Sequence, residues 1–345
     1  MDRVIWTAVM VAVRVACGRA PKPKKRRRGR RTTFPDWLIV AMYLWAAWHD
    51  RCLSWACDRD HYGRLFRPRK LPSVSQFARR VRTDAVQRIL LDVHVQLRAC
   101  GVASEVGYFD GKPLVVGPAS KDPDAARGHV TGGFAKGYKL HVYVNEHRRV
   151  VAWSVMPLNW DEKLVALELV ALLPPDPLGR TLDLADGNYD AAPLHKALDA
   201  RGRRLFVPLR AQQRVKPEGH HPVTLRQMGP ARREAVAAWH DHPDLCEHVL
   251  DARNNVEGVF SVLVVAGGLA ALPGFVRRLE RVRRYVGAKI ILYHARLLAQ
   301  ERAAAEAEAK AKAKAEAAAE AAAAKATEAL APAAAAAAAA EAEAA

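Results

Sequence analysis

The spacing of apolar residues along this chain changes near residue 104. Upstream, apolar positions recur at helical intervals. The first seventeen residues, "MDRVIWTAVMVAVRVAC", read as an amphipathic helix, because Arg14 interrupts what would otherwise resemble a signal peptide. "TTFPDWLIVAMYLWAAWHD" predicts a second helix with Pro35 near its first turn, and the apolar run from Trp37 to Trp48 is too short to cross a bilayer. In "PSVSQFARRVR", Ser73 with Gln76 three residues later spells a capping box, and a further helix follows from Asp84 to about Cys100. Downstream of 104 the pattern is that of strands. "EVGYFDG", "GYKLHVYVN" and "RRVVAWSVMPL" are β-branched and aromatic runs joined by turn residues, as three strands of one sheet would be.

"DEKLVALELVALL" has helical apolar spacing, "RTLDLADGN" predicts a fourth short strand, "APLHKALDARG" a helix closed by Gly202, and "RRLFVPLR" a fifth strand. Residues 210–245 are polar, with "GHHP" and "HDHPD", and read as an insertion or lid. Residues 301–345 contain 29 Ala, with Glu and Lys, and predict a solvated helical or disordered tail. Three strands, helix, strand, helix, strand is the element order of an α/β, ribonuclease-H-like mixed sheet with flanking helices. The expected division is a helical, basic region over 1–100, the α/β domain over 101–300, and the Ala-rich tail.

Charge changes the picture. The chain of 345 residues carries a formal +18. The last 45 residues hold eight Glu against five Lys or Arg, so the preceding 300 carry about +21. Such an excess points to a polyanionic partner, nucleic acid ahead of an anionic membrane. Residues 19–31, "RAPKPKKRRRGRR", concentrate nine basic residues, among them Lys24, Lys25, Arg26, Arg27 and Arg28. With Arg79 and Arg80 they make residues 1–100 the expected DNA-binding region, and Arg277 and Arg278 add a second basic run. Five cysteines form no CxxC pair or His-spaced cluster and read as reduced thiols of a cytosolic protein. A Gly-Lys-Ser/Thr phosphate loop and a Gly-x-Ser-x-Gly elbow are both missing from the sequence, which argues against ATP use and serine hydrolysis.

The remaining chemistry lies in carboxylates. Asp110 is expected to end the first strand and Asp186 the fourth, each followed by Gly. Strand ends in an open α/β sheet face the ligand crevice. Two acids held close there repel unless a cation lies between them, and oxygen ligands suit Mg²⁺ or Mn²⁺. A third acid, Glu257 in "DARNNVEGVFSVL", sits at the rim of the stripe Val256, Val259, Phe260 and Leu263, with Arg253 one turn earlier. Asp183 and Asp190 are substitutes should the register differ. Lys139 and His141 are expected to line the sheet near Asp110, and Asp161 follows the third strand in "LNWDE". His220, His221, His240 and His242 read as surface groups.

From about Val106 to Leu298 the chain resembles the DDE transposases of bacterial insertion sequences, in particular the insertion-sequence-four-like group. The matching pieces are "YFDGKPL", "GYKLHVYVNEHRRVVAWSVMPLNWDE", "LADGNYDAAPLHKAL" and "RNNVEGVFSVL". The resemblance implies a ribonuclease-H-like catalytic domain with Asp110, Asp186 and Glu257 binding two Mg²⁺ (or Mn²⁺) ions. It also implies cleavage of double-stranded DNA at transposon terminal repeats, strand transfer of the 3′-OH into target DNA, and a homodimer holding two ends in a bacterial, nucleoid-associated setting. Of the family's Tyr-x2-Arg-x3-Glu-x6-Lys signature, Arg253 and Glu257 match, whereas Leu250 replaces the Tyr and Val264 the Lys. A catalytically lapsed, DNA-binding descendant is the alternative implied by those two replacements.

Overall fold

The computed structural model describes residues 2–20, 33–99, 104–209 and 228–343, with side chains as far as 322. Lys24 to Arg28, Cys100, His220 and His221 lie outside the described residues. Residues 2–295 form one compact unit and residues 296–345 a second.

The first unit begins with four helices, α1 (Asp2–Arg19), α2 (Asp36–Trp48), α3 (Val74–Val81) and α4 (Asp84–Arg98). Helix α2 follows Pro35, and its residues 38 to 47 are all buried, so it is apolar all round rather than on one stripe. Its Trp45 meets Trp6 of α1 edge to face at 4.9 Å, and Phe66 closes against both rings. The Ser73 side chain accepts the Gln76 amide at 3.3 Å, and the Gln76 side chain accepts the Ser73 amide at 3.1 Å. That reciprocal cap contributes about 1 kcal/mol and explains why an eight-residue helix starts where it does.

Six strands follow: β1 (Val106–Val115), β2 (Ala126–Val130), β3 (Gly133–Asn145), β4 (Val150–Pro157), β5 (Thr181–Leu184) and β6 (Arg203–Phe206). They form one mixed sheet. β3 pairs antiparallel with β1, β2 and β4, while β5 runs parallel to both β1 and β6. The hairpin strand β2 was not anticipated; "ARGHV" has little β-branched character and owes its pairing to β3.

Helices α5 (Glu162–Leu172) and α6 (Ala192–Asp199) cover one face. There Phe109, Tyr143 and Ala152, neighbours across three strands, pack with Leu169, Leu194 and Leu198. On the opposite face α9 (Asn254–Val265) reaches the sheet through Asn255, whose side-chain amide donates to the Tyr108 hydroxyl at 3.2 Å. α10 (Leu279–Glu343) also reaches this face, where Gly287 leaves room for the Trp153 ring. Within the span read as an insertion or lid, residues 210–227 lie outside the described residues. Residues 230–241 form α7 (Pro230–Asp241), whose Trp239 stacks on Phe206 at 5.5 Å and donates to the Val207 carbonyl at 2.9 Å. A short helix α8 (Pro243–Asp251) links it to α9. Among the described residues no helix is long and apolar enough to cross a membrane.

Two strand boundaries differ from expectation. Asp110 does not end β1, which continues to Val115, and β5 stops at Leu184, two residues before Asp186. Gly111 and Pro113 look like turn residues locally, but β3, thirteen residues long, keeps pairing with β1 as far as Val115.

Candidate active site

The site is built by the unequal lengths of β1 and β5. Tyr108 pairs with Leu184 at the last rung of the parallel ladder; Asp110 and Asp186 each lie two residues beyond it, near enough for the charge of Asp186 to act on Asp110. There β1 is held by β3 alone. Val106 and Val116 bond β3 and its turn through their main-chain groups, and Asp110 shares their parity. The N–H of Gly111 and the ring nitrogen of Pro113 therefore face the side that β5 has vacated. Gly111 donates to the Asp110 carboxylate at 2.7 Å, and Pro113 has no N–H to leave unpaired.

Asp186 caps the single 3-10 turn Gly187–Tyr189, accepting the Asn188 amide at 2.8 Å. Its carboxylate is thus oriented by backbone. The pKa of Asp110 is raised, first by burial and further by the negative charge of Asp186; the Gly111 amide, Arg253 and Lys139 act in the opposite direction. Two acids, one of them poorly solvated, therefore share the crevice. Lys139 lies across Gly111, where any larger residue would collide with it, and its ammonium pairs with Glu162 at the start of α5.

Glu257 is placed as its helical spacing predicts: Val256, Val259, Phe260 and Leu263 are the buried residues of α9. Its own side chain is 64% exposed and lies 4.0 Å from the Arg253 guanidinium. Arg253 is the group that communicates with both sides, since its charge also lowers the Asp110 pKa. The structure therefore brings together Asp110, Asp186 and Arg253, with Glu257 attached through Arg253. Among the described residues no three His, Cys, Asp or Glu side chains gather into a group able to hold a metal ion. The pair Asp110 and Asp186 offers carboxylate oxygens alone, a donor set that fits a hard divalent cation, and Glu257 could join it by exchanging its partner Arg253.

The candidate substitutes have other duties. Asp183 is fully buried and accepts from Arg203 at 2.7 and 2.9 Å and from the Tyr143 hydroxyl at 2.7 Å. Asp190 lies between His195 at 3.2 Å and Arg232 at 2.6 Å. Asp161 caps α5 through the Lys163 amide. His141 is buried and its pKa falls to about 4, from desolvation first and Lys139 second, so it is neutral at pH 7. Glu162 escaped the sequence reading. The signal was its place beside Asp161 in "NWDEK", where the first acid was singled out and its neighbour was not.

Among the basic residues, Arg79, Arg277 and Arg278 are exposed. The backbone N–H of Arg278 is anchored to Asp122 at 2.9 Å, with φ at 69°. Arg80 is engaged internally, its guanidinium 2.5 Å from Asp36.

No protein-family model and no curated protein matches the chain. Among solved structures, it is similar to the piggyBac transposase in its synaptic complex with hairpin DNA, at 10% identity over 88% of this chain and 73% of that chain, with a TM-score of 0.45. It is also similar to a pre-cleavage Mos1 transpososome, at 13% identity over 74% and 85% of the two chains, with a TM-score of 0.21.

Proposed function

We propose that this chain is a DNA transposase of the DDE type, which hydrolyses phosphodiester bonds at transposon ends and joins the freed 3′-OH to target DNA. The observation that carries this reading is the juxtaposition of Asp110 and Asp186 beyond the end of β5, with Asp110 poorly solvated. The strand order supports it too: three antiparallel strands followed by two parallel ones is the plan of a ribonuclease-H-like sheet, with β2 as an added hairpin.

In this reading Asp110, Asp186 and Glu257 would hold two Mg²⁺ or Mn²⁺ ions, which would supply charge neutralisation for an in-line displacement at phosphorus. The protein's own groups position the reaction. The amides of Gly111 and Asn188 fix the two aspartates, and Lys139 keeps positive charge beneath the strand. Arg253 holds Glu257 until the substrate phosphate draws the guanidinium away. Arg79, Arg277 and Arg278, with Lys24, Lys25, Arg26, Arg27 and Arg28, grip the duplex through its phosphates. Water attacks the phosphate at the transposon end and displaces the 3′ oxygen, and that 3′ hydroxyl then attacks a target phosphate, displacing the 3′ oxygen of the target strand as its leaving group. A homodimer would hold two such ends. The test is Mg²⁺-dependent nicking of duplex DNA carrying the element's terminus. Asp110→Asn should reduce it at least a hundredfold while leaving DNA affinity within about twofold. Undiminished nicking overturns the assignment.

A second reading has its own support. Leu250 and Val264 replace two polar groups of the family signature, and Glu257 is tied to Arg253. These favour a DNA-binding descendant without chemistry. Such a protein would bind the terminus and show no nicking in the unaltered chain.

A further inference from the structure

Helices α2 and α3, residues 51–53, Phe275, Val276 and the first turns of α10 border a partly open cavity of ≈ 190 Å³. Ala47, Val74, Ala78, Val81 and Val276 make much of its wall apolar. Four arginines, Arg51, Arg82, Arg281 and Arg284, line the same space, and none of its lining residues is Asp or Glu. They come from distant parts of the chain, so folding itself concentrates the charge. Arg284 is half-buried, and its charged form is disfavoured first by burial; Tyr43 and Glu280 support it, and Arg82 and Arg281 oppose it. Like charges drawn together at a partly dry surface are relieved by an anion. Size narrows the choice, since an apolar cavity of about 150 Å³ accommodates benzene.

We propose that this cavity binds a small organic anion, a carboxylate on one aromatic ring or a short acyl chain. The carboxylate lies among Arg82, Arg281 and Arg284, and the apolar body fills the space between Ala78, Val81 and Val276. An inorganic anion satisfies the arginines and leaves the wall wet; a neutral ring does the reverse. None of the residues at the Asp110 crevice takes part, so the site stands apart from the catalytic reading.

Cys52 also lines the cavity and supplies a reporter. Its thiol pKa is lowered, chiefly by the hydrogen bond with the Ser54 hydroxyl at 3.0 Å, which makes it a good target for alkylation. The experiment titrates the full chain with benzoate by calorimetry and follows iodoacetamide labelling of Cys52 by peptide mass spectrometry. Benzoate should bind saturably, one per chain, and slow Cys52 labelling at least fivefold. Benzyl alcohol and inorganic phosphate should each bind at least tenfold more weakly. Arg82→Ala, at an exposed position, should weaken benzoate at least fivefold, and Ala78→Phe, checked for an unchanged melting transition, should abolish it. The proposal is overturned by absence of heat and protection, by unchanged affinity in Ala78→Phe, or by phosphate binding as well as benzoate. It is equally overturned if duplex DNA protects Cys52 where benzoate does not.

Discussion

A carboxylic acid whose folded pKa is raised, as that of Asp110 is, is held in its site against its own solvation. The unfolded chain ionises it more readily, so its effect on stability is unfavourable above the ordinary carboxylate range and vanishes at acid pH. Asp110→Asn should therefore melt higher than the parent at pH 7, by about 2–4 °C for each kcal/mol of relief, even as nicking is lost. A lower melting temperature would mean that the carboxylate is structurally required. Histidines act with the opposite sign. His94 and His141 are buried, each with its pKa lowered to about 4, mainly by desolvation and then by Arg98 and Lys139 respectively. His294 packs 5.2 Å from His94 and is pushed well below its usual value by burial, with His94, Arg149 and Arg98 adding to the effect. All three must stay neutral in the fold. The contribution of each is complete above pH 6.5 and is lost as pH falls below it, toward 4 for His94 and His141, with a slope of at most about 1.4 kcal/mol per unit for each ring. Urea midpoints measured between pH 7 and 5 should fall accordingly, and His94→Gln should flatten the dependence. A midpoint independent of pH would contradict this. At this scale the sequence was informative about identity and silent about partners. The stripe of α9 and the capping box at Ser73 were legible because both are local patterns. That Asp183 and Asp190 are consumed by Arg203, His195 and Arg232 was not, since those contacts depend on how β5, β6, α6 and α7 assemble.

At the scale of elements, what mattered was which strand outlasts its neighbour. A chain reading "FDGKPL" offers Gly and Pro, both poor strand formers, and no local rule carries β1 past Asp110. β3 does so from thirty residues away, and Pro113 is tolerated because its missing donor falls on the unpaired side. The same geometry lays the Lys139 side chain across Gly111 on its way to Glu162, so a larger residue there must push the end of that side chain aside. Gly111→Val should displace that side chain, break the ion pair and destabilise the protein by about 1–3 kcal/mol in urea unfolding. Glu162→Gln should recover little of the loss if the steric clash is the cause. An unchanged unfolding midpoint in Gly111→Val would show that Lys139 has another way across.

For the whole molecule, charge is the dominant fact. About +21 resides in the first 300 residues, and the exposed arginines of α3 and of the stretch before α10 present part of it to solvent. Binding to duplex DNA through such groups releases counterions, so log affinity should fall linearly with log salt, with a slope near −0.9 for each phosphate contacted. Arg277→Ala with Arg278→Ala should make that slope shallower by roughly one to two while leaving nicking chemistry intact. A slope indifferent to both changes would remove these residues from the interface.

Because the Gly111 amide hydrogen is given to one oxygen of the carboxylate that a proton or a cation would claim, the backbone itself carries a gauge of the crevice. Whatever occupies Asp110 changes the charge on the group that accepts that bond. The amide resonance and exchange rate of a single glycine would then register occupancy, pH and substrate arrival in a protein doing no turnover at all.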